Sequence, residues 1–128
     1  MKVKFKTWGY EKILANKGEY CGKILHILKD LSTSFHYYQS KDETFYVQSG
    51  KVCIEVVDDL SDASGYAEIG VNACKPMKVI LEEGSSFYVP PFRSYRIVAL
   101  KDSTIFEVST FHSEEDIVRL KSYDNKIK

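Results

Sequence analysis

The segment Ser34–Gly50, SFHYYQSKDETFYVQSG, holds an imidazole at His36, a phenol at Tyr38 and a carboxylate at Glu43. A second segment, Gly84–Tyr95, GSSFYVPPFRSY, carries Arg93 and ends in Tyr95, with Arg96 next in the chain. These side chains support three kinds of chemistry. His36 or Glu43 can take a proton from a carbon α to a carbonyl, because imidazole titrates near neutrality. Tyr38 or Tyr95 can then give up a proton or steady the enediolate oxygen. His36 and Glu43 are also two ligands toward a divalent transition metal, one short of the three that a protein metal site needs. Arg93 and Arg96 can grip a phosphate or carboxylate as a bidentate fork. Glu107, in the run TIFEVST, offers a second carboxylate on the face it shares with Ile105.

Plainer readings stand beside these. His36 can be a hydrogen-bonded interior histidine, with Glu43 satisfied by His36, Tyr38 or Tyr95. Tyr38 and Tyr95 can pack their rings and close a pocket. Trp8 and Lys23 read as a covering ring and a snorkelling amine.

The elements that must position these groups are short β-prone runs broken by turns. They are Tyr20–Leu28, Ser34–Tyr38, Glu43–Gln48, Lys51–Val57, Met77–Leu81, Phe87–Val89, Tyr95–Leu100 and Thr104–Thr110. Ser49-Gly50 closes a hairpin, and Glu83-Gly84 and Lys101-Asp102 are further turns. In KVCIEVV, Val52, Ile54 and Val56 share one face and Cys53, Glu55 and Val57 the other. Asp58–Lys75 is polar and reads as a loop or an extended hairpin. Ser113 followed by three acidic residues resembles a helix N-cap, which predicts a short C-terminal helix with Ile117 and Leu120 on its apolar side. The tail SYDNKIK reads as frayed or packed outside. Strand alternation puts Ser34, His36 and Tyr38 on one face. The whole predicts an all-β antiparallel sandwich or barrel that can enclose a ligand.

Composition narrows the partners. The chain has 128 residues, so it is expected to be a single domain, residues 1–128. Its 18 Lys and Arg balance 18 Asp and Glu, which argues against a basic nucleic-acid grip. No apolar run reaches the ~20 residues of a membrane helix, and the opening MKVKFKTWGYEK has no apolar stretch like that of a secretory signal. The expectation is therefore a cytoplasmic protein with neither nucleic acid nor membrane as partner. Its three cysteines, Cys21, Cys53 and Cys74, lack paired spacing and read as reduced thiols, with Cys53 a small core residue. Tyrosine is abundant, nine against three histidines.

Two segments resemble the cupin superfamily. His36, Glu43 and Gly50 stand at the spacing of its first motif, G-x5-H-x-H-x(3,4)-E-x6-G. Gly84 and Pro90 match the second, G-x5-P-x-G-x2-H-x3-N. Trp8-Gly9 and Lys23 resemble the opening of type II mannose-6-phosphate isomerase domains and their small single-cupin relatives. The resemblance spans residues 8–120. It implies a cupin-type antiparallel barrel, a double-stranded β-helix or jelly roll. Its departures fall on chemistry. Tyr38 and Tyr95 occupy two of the four positions where cupins keep metal ligands, and the motif glycines fall at Asp30 and Phe92, with the asparagine at Ala99.

The resemblance implies a sugar- or nucleotide-sugar-type pocket with a degenerate metal site. One reading is a sugar-phosphate isomerase or epimerase of polysaccharide metabolism, with His36, Glu43, Tyr38 and Tyr95 as catalytic groups. Arg93, Arg96 and Glu107 would then bind substrate. Another is a non-catalytic carbohydrate-binding cupin, and a third a metal-dependent cupin with an altered ligand set. The cofactor is none, or a divalent transition metal held weakly by His36 and Glu43. A homodimer is expected, since an open sheet edge is a liability.

Overall fold

The structure, a computed structural model, describes residues 2–57 and 76–120. The Asp58–Lys75 loop, Cys74 and the SYDNKIK tail lie outside the described residues. Eleven strands are described: β1 Lys2–Lys6, β2 Gly9–Lys17, β3 Tyr20–Ile27, β4 His36–Tyr38, β5 Glu43–Ser49, β6 Lys51–Val57, β7 Met77–Glu82, β8 Ser86–Val89, β9 Ser94–Ala99, β10 Ser103–Ser109 and β11 Ile117–Arg119. All pair antiparallel. One sheet runs β1-β2-β3-β10-β5-β8 and the other β11-β4-β9-β6-β7. Two antiparallel sheets facing each other over one core make the expected jelly-roll barrel.

Hydrophobic alternation sets the core. Ile27, Phe45, Val47, Val52, Ile54, Val56, Val89, Ile97 and Ile105 all lie inside it. Each comes from a strand whose next residue faces the other way. The β5–β6 turn falls at Gly50, which has φ +93°. A Cβ there would collide with the backbone of Asp102 and Ser103, so only glycine fits. The turns at Glu83-Gly84 and Lys101-Asp102 also stand where expected, between β7 and β8 and between β9 and β10.

Two ends of the chain differ from expectation. β1 and β2 add a hairpin to the large sheet, pairing Lys2 with Ile13 and Phe5 with Tyr10. β1 escapes hydrophobic reading because its apolar residues point outward: Phe5 is 84% exposed. At the other end the predicted C-terminal helix is a single 3-10 turn, Glu114–Asp116. Ser113 does cap it, accepting from the Glu115 amide. The chain then extends, because Ile117–Arg119 gain a ladder with Tyr38–His36, and a strand with a partner outweighs one more turn of short helix.

The glycine positions of the resemblance have a structural echo. Among the described residues, Asp30 and Phe92 are the non-glycine residues with left-handed backbone, at φ 69° and 67°. The geometry that glycine would relieve is kept, at a cost of ~1–2 kcal/mol for each L-residue.

Candidate functional site

β4, β5, β9 and β10 bring the sequence-selected groups to one end of the barrel. The inward faces run Ile105 to Glu107 on β10, Val47 to Phe45 to Glu43 on β5, and Ile97 to Tyr95 on β9. All seven are buried. His36 on β4 pairs with Tyr95 on β9 in the backbone register, and their ring centroids are 4.7 Å apart. The Tyr38 ring stands edge-on to His36 at 5.3 Å. The Tyr95 hydroxyl donates to Glu43, with both carboxylate oxygens at 2.9 Å. His36, Tyr38, Glu43, Tyr95 and Glu107 thus converge as expected.

A residue not selected from the sequence lies at their centre. Lys41, in the β4–β5 connection, is 1% exposed. Its Nζ is 2.7 Å from Glu107 Oε2 and 3.7 Å from Glu43 Oε2. It donates to His112 Nδ1 at 2.9 Å and lies 4.5 Å from the Tyr38 ring centroid. Lys23 continues the cluster from β3, where it pairs across the ladder with Glu107. Rather than snorkelling outward, it turns in to Glu11 Oε1 at 2.8 Å. The buried ladder Glu11, Lys23, Glu107, Lys41, Glu43 therefore holds three carboxyl groups against two ammonium groups.

That imbalance decides where a proton sits. Burial pushes Glu43 up, Glu107 pushes it further, and Lys41 only partly opposes them, leaving it at about 8. Burial acts the same way on Glu107, but Lys41 and Lys23 outweigh it and hold that carboxyl low. At neutral pH Glu107 is the ionised partner and Glu43 carries the proton. For Lys23, burial works against the ammonium, while Glu107 and Glu11 overcome it and raise the group.

The two imidazoles have defined tautomers. His36 Nδ1 lies 2.8 Å from the Ser34 carbonyl, which can only accept, so Nδ1 carries the proton and Nε2 offers a lone pair. Burial holds His36 at about 4, so it is neutral at physiological pH. His112 accepts from Lys41 on Nδ1 and therefore donates from Nε2 to Glu114 Oε2, 2.6 Å away. Burial and the Lys41 charge lower His112, and the bond from His112 takes Glu114 down to about 2. Burial, then the Glu43 charge, lifts both Tyr38 and Tyr95 well above the ordinary phenol range.

A cavity of about 80 Å³ opens at this end, lined by His36, Tyr38, Tyr95, Glu107, His112 and Trp8 among others. It adjoins a groove of about 350 Å³ that shares Lys6, Trp8, Thr33, Ser34 and Arg119 with it. Of the two arginines selected from the sequence, Arg96 points to the opposite face of β9 from Tyr95 and bonds Glu55 at 3.1 Å; it lines the outer groove but not the inner cavity. Arg93 stands in the β8–β9 turn and does not line the cavity. The other cations of the groove, Lys6 and Arg119, also line the inner cavity. Arg119 comes from the strand that sequence reading took for helix.

No family model matches the sequence, and no curated protein matches it either. Solved structures do match in shape. KdgF from Halomonas sp. superposes with a TM-score of 0.63 at 18% identity, over 83% of this chain and 81% of that one. An RmlC-like cupin from Shewanella frigidimarina gives 0.68 at 16%, over 89% and 86%. Oxalate decarboxylase from Bacillus subtilis gives 0.74 at 14%, over 95% of this chain but only 30% of that one. The fold is that of a cupin.

The metal that the motif resemblance implies would fall at His36, Glu43, Tyr38 and Tyr95, and this donor set does not fit a divalent ion. The two phenols resist ionisation, and Glu43 is engaged by Tyr95 through both oxygens. A buried ammonium already sits 3.7 Å from that carboxyl. Among the described residues, no group of three or more His, Cys, Asp or Glu is arranged to hold a metal. Cys21 and Cys53 are free and buried. Among the described residues, no helix is long and apolar enough to cross a membrane.

Proposed function

We propose that this cupin-fold protein binds a small anionic carbohydrate derivative and acts on it, as a sugar-phosphate isomerase or epimerase does, without a metal. One observation carries the reading. His36, whose Nε2 is proton-free, and Tyr38 line an inner cavity that opens onto a groove with Trp8 and three cations, Lys6, Arg96 and Arg119. The inner space, about 80 Å³, is small against the ~300–1,000 Å³ of ordinary ligand sites. It suits the reacting end of a ligand, and the groove suits the ring and its charge. Trp8 offers a stacking face there, while Lys6 and Arg119 face a phosphate or carboxylate.

In the catalytic step, His36 Nε2 accepts the proton from the carbon α to the carbonyl. The Tyr38 hydroxyl donates a hydrogen bond to the oxygen that becomes enediolate. Return of the proton to the same carbon from the other face completes epimerisation; in isomerisation it returns to the neighbouring carbon, while the hydroxyl proton of the carbon that becomes the carbonyl passes by way of Tyr38 to the enediolate oxygen. The low basicity of His36 confines it to C–H bonds acidified by such an adjacent carbonyl. Solvent deuterium incorporation by NMR, with a panel of sugar phosphates and uronates, tests the step. Exchange by the wild type that is lost in His36→Ala is expected; equal exchange by both would sink it.

The extensive pairing of Glu43, Tyr95 and Lys41 favours one alternative, a binding cupin with no turnover. In that case ligands raise the melting temperature and no deuterium enters. On either reading we place the protein in the cytoplasm as a homodimer. Free Cys21 and Cys53 support the reducing compartment. The exposed Tyr46, Tyr88 and Val108 on the outer face of the large sheet support association. A single 14.7 kDa particle in light scattering would rule the dimer out.

A further inference from the structure

We propose that the Lys41 ammonium is the resident cation of this barrel, occupying the place of a metal ion and excluding one. The groups around it are of the classes that coordinate transition metals: two carboxyl groups and an imidazole lone pair. Glu107 Oε2 stands at 2.7 Å and His112 Nδ1 at 2.9 Å, with Glu43 Oε2 at 3.7 Å. The Tyr38 ring covers a further side at 4.5 Å. Metal–donor bonds to nitrogen and oxygen are ~2.0–2.2 Å, so Glu107 and His112 would need to close by about 1 Å and Glu43 by about 1.5 Å to hold an ion; set around the ammonium, the three are spaced too widely for one.

The ammonium arrives from within the chain, on the segment between β4 and β5, and no solvent exchange can remove it. A dication entering between Glu43, Glu107 and His112 would meet a fixed positive charge in a buried setting that screens it poorly. The same charge explains the ligand substitutions. With a permanent cation in place, further imidazoles at positions 38 and 95 would have no ion to bind. The phenols there instead supply a π face to the ammonium and a donor to Glu43.

Four proteins test this: wild type, Lys41→Ala, the Tyr38→His/Tyr95→His double variant, and the triple variant combining them. Each is titrated with cobalt(II) chloride. Retained cobalt is measured by elemental analysis after desalting, and coordination by ligand-field absorption in the visible. The wild type and the double variant are expected to keep almost none. Lys41→Ala and the triple variant should bind about a hundredfold more tightly than their Lys41-containing parents, the triple at one ion per chain. Stoichiometric cobalt in the wild type, or equal affinity in the double and triple variants, overturns the proposal. If Lys41→Ala folds only with cobalt present, as judged by circular dichroism, the proposal stands. If neither Lys41 variant takes up cobalt under any refolding condition, it fails.

Discussion

The two ends of the barrel are built from the same strands and obey opposite rules. At the closed end, the inward faces of β3, β5, β9 and β10 present Ile27, Val47, Ala99 and Ile105, each essentially inaccessible to solvent. Two residues further along, or four, the same faces present Lys23, Glu43, Tyr95 and Glu107. The apolar end is held by contact area, which is non-directional and indifferent to pH. The other end is held by the order of its charges, so each member's worth depends on whether its neighbour is present and protonated. One core therefore contains a region tolerant of small changes and a region in which a single deletion strands an ion.

The largest effect expected from breaking this contrast is at Lys41. Lys41→Met leaves Glu107 without its nearest counter-ion and should cost about 3–5 kcal/mol in urea unfolding at pH 7. The loss should shrink under mild acid, as Glu107 takes up a proton.

Next is the pH dependence carried by Glu43. Its folded value, about 8, lies above the unfolded 4.5. Between these values the native state binds the extra proton, so stability falls as pH rises and the contribution is gone above about 8. His36 works in the other direction: its value of about 4 against 6.5 means stability is lost as pH falls through that window. Above pH 7 His36 and His112 are mostly neutral in either state, and the slope belongs chiefly to Glu43. The wild type should lose about 1 kcal/mol between pH 7 and 8, and Glu43→Gln should be flat there.

At the apolar end, Ile54→Val should cost about 1 kcal/mol, with the same value at pH 5 and pH 8. A pH-dependent loss would mean that the two ends are coupled. The smallest effect lies in the turn that closes over Tyr38. Phe92 holds a left-handed backbone there and donates its amide to the Tyr38 carbonyl at 2.8 Å. Phe92→Gly should stabilise by about 0.5–1 kcal/mol, reduced by the lost contact with the Tyr37 ring, and a rise in thermal midpoint would record it.

The apolar end was also the legible one. Alternation in KVCIEVV, ETFYVQ and TIFEVST carries strand, face and burial in local sequence, and Gly50 and Gly84 mark their turns. His36, Glu43, Tyr95 and Glu107 were found because motif spacing and alternation fix which face they take. Lys41 and His112 were not. Each sits between strands, where a lysine or histidine reads as solvated, and only the closure of β4, β5 and β10 around them buries it. The one available signal was charge. Two acidic residues assigned to a barrel interior without metal ligands to spare require a cation, and Lys41 lies two positions from Glu43. Lys6 and Arg119 escaped for a related reason: both belong to terminal strands, β1 and β11, whose sequences do not alternate toward the core.

The outermost strand, Lys2–Lys6, has a bearing on how copies of this protein can meet. Among the described residues it ends the large sheet with an open edge, a standing invitation for another chain to extend the ladder. Its Lys2, Lys4 and Lys6 alternate with Val3 and Phe5. Adding a second copy edge to edge would stack lysine rows against each other and bring no acid to offset them. The strand thus acts as a fender: its lysine row turns away a second copy that would add to the sheet at this edge.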